Sequence, residues 1–362
     1  MRISILSHSV VTPLGTGSTA NFLAIQEGRS GVALIEKPMW SNSPFYGSCM
    51  ENTRQLAGFT RFESLAIESA RDAMQACTAD IDYRKTAFVL ATTKGNVELL
   101  DTTGYTENEL LLHHSAKKIA THLSIEKSFV VSNACTSGVM AVMFGKQLLE
   151  AGSFQHVIIT GTDVLSRFVI SGFQSLYALS DEPCKPFDAT RKGLNLGEAS
   201  ATLILSSAYK TDYTISGSAA TNDANHISGP SRTGHELSAA ITSALSSAQC
   251  PVDFICAHGT ATLYNDEMEA KAFQHANVSD LPVNSLKAYF GHTLGTAGLL
   301  EIIMSLQSLK HQELIASKGY QAHGVSVPLH IIQKKEKKAV SAFLKTASGF
   351  GGCNAAIVIG KL

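Results

Sequence analysis

Short, unbroken apolar runs alternate with helix-length segments along this 362-residue chain, and that alternation restricts the fold more than any other feature. The runs at 86–91 (TAFVLA), 156–160 (HVIIT), 200–205 (SATLIL) and 355–359 (AAIVI) show little polar alternation. A strand wetted on one side alternates apolar and polar residues, whereas an unbroken run reads as a strand covered on both faces. Between the runs, 62–77 places Phe62, Leu65, Ala66, Ala70, Ala73, Met74 and Cys77 on one face at helical spacing. The pattern predicts an α/β architecture. A first series has strands at 86–92, 129–131, 156–160 and 200–205, with helices at 62–77, 116–123 and up to 152. A second has strands at 213–216, 254–257, 283–286, 339–345 and 355–359, with helices at 236–247, 267–274 and 298–309. The two similar halves, 1–207 and 208–362, meet without a Pro/Gly/Ser linker, so they are expected to pack as one unit.

Net charge is −1 and 44% of residues are hydrophobic, which allows a sizeable core and argues against a general binder of nucleic acid or anionic membrane. The charge run at 334–338 (KKEKK) reads as a solvated strand or turn edge. The seven cysteines form an odd set without a CxxC pair, which speaks against a disulfide framework and for a reducing compartment. Cys256 and His258 share a strand face, but no further ligands follow at a zinc spacing, so no metal site is expected. The N-terminus enters a strand without a signal-peptide pattern, and no apolar stretch is long enough to span a bilayer. A cytoplasmic protein is expected.

Three segments carry candidate chemistry. The strand at 128–132 runs through NACTSG (133–138) into an apolar helix. Cys135 therefore faces free helix N–H groups and the positive end of the dipole, both of which favour thiolate. His258 emerges from a strand end into HGTAT (258–262), and His292 lies in a glycine-rich loop before the helix at 298–309. Lys287 sits in an otherwise apolar segment, where an unpaired ammonium is disfavoured. One nucleophile and two loop histidines form a Cys-His-His constellation.

Together these segments resemble the β-ketoacyl-(acyl carrier protein) synthases, condensing enzymes of the thiolase superfamily. The resemblance also rests on VTPLG (11–15), CKPFD (184–188) with Gly193 and LGEA (196–199), Asp266 and Glu269 after the first histidine, Glu301 after the second, and GFGGCN (349–354). It implies the five-layered αβαβα thiolase-like fold built from two similar halves. It further implies decarboxylative Claisen condensation of a Cys135-bound acyl group with malonyl-(acyl carrier protein), giving a 3-oxoacyl product. His258 and His292 would stabilise the enolate, and Lys287, counted with the catalytic residues, would pair with Glu301 and hold the second histidine and the local charge. The backbone N–H groups of Cys135 and Phe350 would form the oxyanion hole, with Phe350 also the gate. Thr260 and Thr262 would hold a phosphopantetheine arm arriving on the carrier protein, with no cofactor bound to the enzyme itself. Glu269 would support the first histidine, and Phe173 would wall the acyl pocket. The expected partners are an acyl carrier protein and a second subunit, identical or related.

Rival readings are a papain-like protease, a thiolase-type coenzyme-A enzyme using Cys353 as a second thiol, and a chain-length-factor-like subunit. The protease leaves the second histidine motif without a use, and the subunit would typically lack the nucleophile. The segment from Thr92 to Cys135 is shorter than in housekeeping elongating synthases. That departure suggests a specialised synthase similar to those of aryl-polyene or related pigment pathways.

Overall fold

The computed structural model describes residues 1–51, 53–248 and 250–361. The strands of the first series are β1 (Ser4–Thr12), β2 (Thr86–Ala91), β3 (Lys127–Val131), β4 (His156–Asp163) and β5 (Ala199–Ser206). Those of the second are β6 (Tyr213–Asn222), β7 (Phe254–Cys256), β8 (Pro282–Asn284), β9 (Ala342–Gly349) and β10 (Cys353–Lys361). Their order across the sheet is β8-β7-β9-β10-β6-β1-β5-β4-β2-β3. Read outward from the centre, each series runs first, fifth, fourth, second, third. Pairing directions repeat as well: the outer two contacts of each series are parallel and the inner two antiparallel. The series join where β1 meets β6 at Ser4 and Thr214.

The layers follow from strand alternation, since successive side chains leave opposite faces. Phe88 and Leu90 of β2 pack outward under α1 (Arg61–Ala76) and α2 (Leu112–His122). Ala87, Val89 and Ala91 pack inward against α3 (Ser137–Glu150) and α6 (Ala297–His311). In the second series, Phe343 of β9 faces the same inner helices. Its neighbour Leu344 faces α4 (His235–Ser247) and α5 (Leu263–His275). The sequence of layers is thus helix, sheet, helix pair, sheet, helix: the thiolase-like fold expected from the sequence. Every residue of β2, β4 and β5 is buried, which explains their unbroken apolar runs.

Helix α1 starts where the pattern placed it, because Thr60 and Glu63 form a reciprocal capping box. Several boundaries differ by a few residues, among them the expected strand at 339–345, which runs Ala342–Gly349, and the helices expected from 116 and 267, which start at Leu112 and Leu263. Two further differences have a visible cause. β6 extends to Asn222, beyond the expected 216, because the small residues of 217–222 pair along their length with β10. The expected strand at 283–286 stops at Asn284, and Lys287–Phe290 form a helical turn instead. There the Ser285 hydroxyl donates to Gly259 O (2.6 Å) and accepts the Lys287 N–H (3.3 Å), turning the chain off the sheet. Among the described residues, no helix is long and apolar enough to cross a membrane.

Candidate active site

The site lies at the carboxyl ends of the parallel strands, where the first turns of α3 and α6 approach one another. A Cβ on Gly138 would sit 2.8 Å from Gly295 O and Leu299 N, so glycine permits this contact. Cys135 follows β3 through a turn in which Ala134 has φ 45°, a conformation uncommon for a residue with a Cβ. The turn is held by Ser137, whose hydroxyl donates to Ala134 O at 2.6 Å and accepts the Asn133 N–H at 2.8 Å. The Thr136 hydroxyl adds a bond to Asn133 O at 2.7 Å.

From the second half, the loop between β9 and β10 crosses over the thiol. A Cβ on Gly349 would lie 3.1 Å from the Cys135 nitrogen, and the backbone N–H of the next residue, Phe350, is among the groups that favour the thiolate. Cys135 is 7% exposed, and this burial pushes its thiol up to about 11, against the nearby Lys287 and Lys94 and the Phe350 N–H. The sequence position alone argued for a resting thiolate. Burial dominates instead, so the resting group is a thiol.

His258 follows β7 and His292 follows the turn at Lys287–Phe290. Their rings meet edge to face with centroids 5.2 Å apart, and both residues are buried. Burial holds each imidazole well below its ordinary value, with Lys287 the next cause in both cases. Both rings are neutral at pH 7. The His258 and Gly259 N–H groups donate to the two oxygens of Glu269, at 2.8 and 2.6 Å. Asp266 accepts the N–H groups of Thr260 (3.0 Å) and Phe187 (2.7 Å). Burial raises Asp266 to about 7. These carboxylates hold the backbone that carries His258.

Lys287 does not reach the cavity. Its ammonium donates to His258 O at 2.9 Å and to Glu301 Oε1, all within the core. Lys345, which the sequence reading did not single out, lies within 2.7 Å of Glu301 Oε2. The available signal was a lysine inside the apolar strand AFLKTA (342–347), the same signal that drew attention to Lys287.

Cys135, His258 and His292 open on one cavity of about 280 Å³, whose wall also includes Phe173, Phe350, Thr260 and Thr262. The Phe173 and Phe350 rings stack with centroids 5.8 Å apart, and Phe350 is 38% exposed, at the cavity's outer edge. The two threonine hydroxyls are 2.9 Å apart. Glu269 and Glu301 stand behind the histidines. Cys353 also lies outside the cavity wall, with its thiol donating to Asn133 Oδ1 at 2.9 Å.

The chain is similar to known proteins. Residues 52–211 match the family "Beta-ketoacyl synthase, N-terminal domain" and 213–321 match "Beta-ketoacyl synthase, C-terminal domain". The tetracenomycin polyketide synthase ketoacyl synthase alpha subunit of Streptomyces glaucescens is 32% identical over 64% of this chain and 59% of its own length. The match thus spans about three-fifths of that relative. Nodulation protein E of Rhizobium leguminosarum bv. trifolii is 28% identical over 98% of both chains. Among solved structures, a chain of the complex between the ketosynthase ApeO and its chain length factor ApeC, from Xenorhabdus doucetiae, superposes with a TM-score of 0.91. It is 25% identical, covering 100% of this chain and 98% of that one. The two family matches cover most of the sequence and the cavity lies between them: the chain belongs to the β-ketoacyl synthase family of condensing acyltransferases.

Proposed function

We propose that this protein extends a carrier-bound acyl chain by decarboxylative condensation, with Cys135 as nucleophile and the His258–His292 pair as enolate stabiliser. The observation that carries this reading is the convergence of one buried thiol and two neutral imidazoles on a single cavity. In the first half-reaction the Cys135 sulfur attacks an acyl thioester. The carrier's thiol leaves, and the Cys135 proton ends on it. Cys135 gives up its proton as it attacks, since the thiolate is the nucleophile, and the positive end of the α3 dipole favours that transient charge. In the second half-reaction malonyl thioester loses carbon dioxide, and negative charge develops on the thioester oxygen. Neutral imidazole N–H groups stabilise that oxygen without protonating the carbanion. The carbanion attacks the Cys135 thioester. The Cys135 and Phe350 N–H groups receive the tetrahedral oxyanion, and the expelled thiolate takes up a proton.

The carrier partner is supported by the cavity mouth, where Tyr177, Leu263 and Tyr264 are exposed beside Thr260 and Thr262. An apolar rim with two hydroxyls suits a phosphopantetheine arm, whose amides need partners along an otherwise apolar path. The second subunit is supported by β3, a sheet edge next to the nucleophile whose residues Phe129 and Val131 are only half-buried. The solved complex of ApeO with its chain length factor makes a related, non-identical partner the first candidate. A thiolase reading loses its second thiol, since Cys353 is outside the cavity wall. The test is a panel of acyl carrier protein thioesters scored by intact mass. Loading abolished by Cys135→Ala supports the reading, and loading that survives it refutes it.

A further inference from the structure

Two lysines, not one, converge on Glu301, and both are fully buried. Lys345 stands on β9 in register with Cys256 of β7. Its ammonium donates to the carbonyls of Cys256 (3.2 Å) and Ala257 (2.9 Å), and Lys287 takes the next carbonyl, that of His258 (2.9 Å). Three consecutive carbonyls leading into His258 are thus tied to one carboxylate on α6. Strand alternation sends the neighbouring Thr346 to the opposite face, where its hydroxyl donates to Glu269 Oε1 at 2.9 Å. Glu269 in turn holds the His258 N–H.

We propose that Lys345 is a second positioning cation of the site. It fixes the path by which the chain leaves β7 for His258, and it gives the cluster behind the imidazoles a net positive charge that favours their neutral, N–H-donating form. Among the described residues, the charged and titratable groups facing the pair come from every neighbouring element. They are Lys287 from the turn after β8, Lys345 from β9, Lys94 after β2, Glu301 from α6, Glu269 and Asp266 from α5, and Cys135 itself. Removing Lys345 leaves Lys287 and Glu301 as a one-to-one ion pair. Burial works against the Lys345 ammonium, and its anionic neighbours, Glu301 foremost with Glu269 behind it, together outweigh that cost, so the group is charged at neutral pH.

The inference rests on the assignment of the histidines to enolate stabilisation, and the experiment separates the two. Carbon dioxide release from a malonyl-acyl carrier protein thioester and acyl loading of Cys135 are measured across pH for wild type, Lys345→Met and His258→Ala. For Lys345→Met, decarboxylation is expected to fall by up to about 10²-fold, the cost of an ångström-scale misplacement of a reacting group. Loading should change by less than about two-fold, and the acidic limb of the decarboxylation profile should rise by about one pH unit. Unchanged decarboxylation with an unmoved limb overturns the proposal. So does a parallel fall in both activities without a limb shift, which would mean a purely structural role. If His258→Ala decarboxylates normally, the histidine assignment fails first. If only Lys345→Met does so, the Lys345 inference alone fails. Should Lys345→Met not fold, histidine nitrogen NMR of the wild-type protein decides. Neutral rings at His258 and His292 at pH 6 are expected, and a cationic ring at either position overturns it.

Discussion

His258 and His292 face each other edge to face, with ring centroids 5.2 Å apart and planes at 83°. One comes from the end of a parallel strand and the other from the crossover before α6, so each is fixed by a different part of the second half. His292 is further held by its N–H to Asn195 O (2.6 Å), and its carbonyl accepts the Gly197 N–H at 3.0 Å. The pair is therefore anchored on both sides of the cavity before any substrate arrives.

The pH dependence follows from that burial. Both imidazoles lie well below 6.5, so they stay neutral as pH falls through the usual histidine range. Malonyl decarboxylation should hold a plateau from pH 7.5 to below 6, and a loss of rate centred at 6.5 would contradict the account. Stability should move the other way. Below about 6.5 the unfolded chain binds protons that the native pair refuses, so stability is lost as pH falls from there. A His258→Gln/His292→Gln variant should show a shallower loss, measured by urea unfolding between pH 7 and 5.

Cys135 should react with alkylating reagents more slowly than its exposure alone suggests. With its thiol raised to about 11, iodoacetamide labelling should still be climbing at pH 10. Acyl thioesters should nevertheless label Cys135 ahead of the other cysteines, because the cavity delivers them there. Peptide mapping after each reagent checks both, and thioester label at Cys353 would restore the thiolase reading.

The contact between α3 and α6 has no room for a side chain at Gly138. Gly138→Val should destabilise the protein by about 1–3 kcal/mol through overpacking. It should also disturb loading, since Cys135 stands three residues earlier. A urea midpoint equal to wild type would refute this.

Much of the site was legible because its chemistry is written in local motifs. Cys135 and His258 each stand just after a strand and His292 in a loop before a helix, all three among small residues, a signal that needs no tertiary information. The layered fold was legible for a similar reason, since buried parallel strands are apolar throughout. Less visible was whatever depends on what lies opposite. The length of β6 comes from its pairing with β10. The protonation of Cys135 comes from burial under Gly349 and Phe350, more than two hundred residues away. Lys345 became meaningful only once β9 lay beside β7.

The exposed edge of the sheet gives a test of assembly. Phe129→Lys, on β3, should weaken association with the proposed second subunit while leaving the fold intact. Sedimentation velocity reads this directly. A wild-type protein fully active as a 38.5 kDa monomer would contradict the assembly.

The central claim is a division of labour between one thiol and two imidazoles. It is tested most directly by measuring acyl loading and malonyl decarboxylation side by side in His258→Ala. Removing a donor to a developing oxyanion typically lowers rate by about 10²–10³. The account predicts a loss of that order in decarboxylation, with loading of Cys135 largely retained. A His258→Ala protein that releases carbon dioxide at the wild-type rate, or that loses loading and decarboxylation equally, would contradict it.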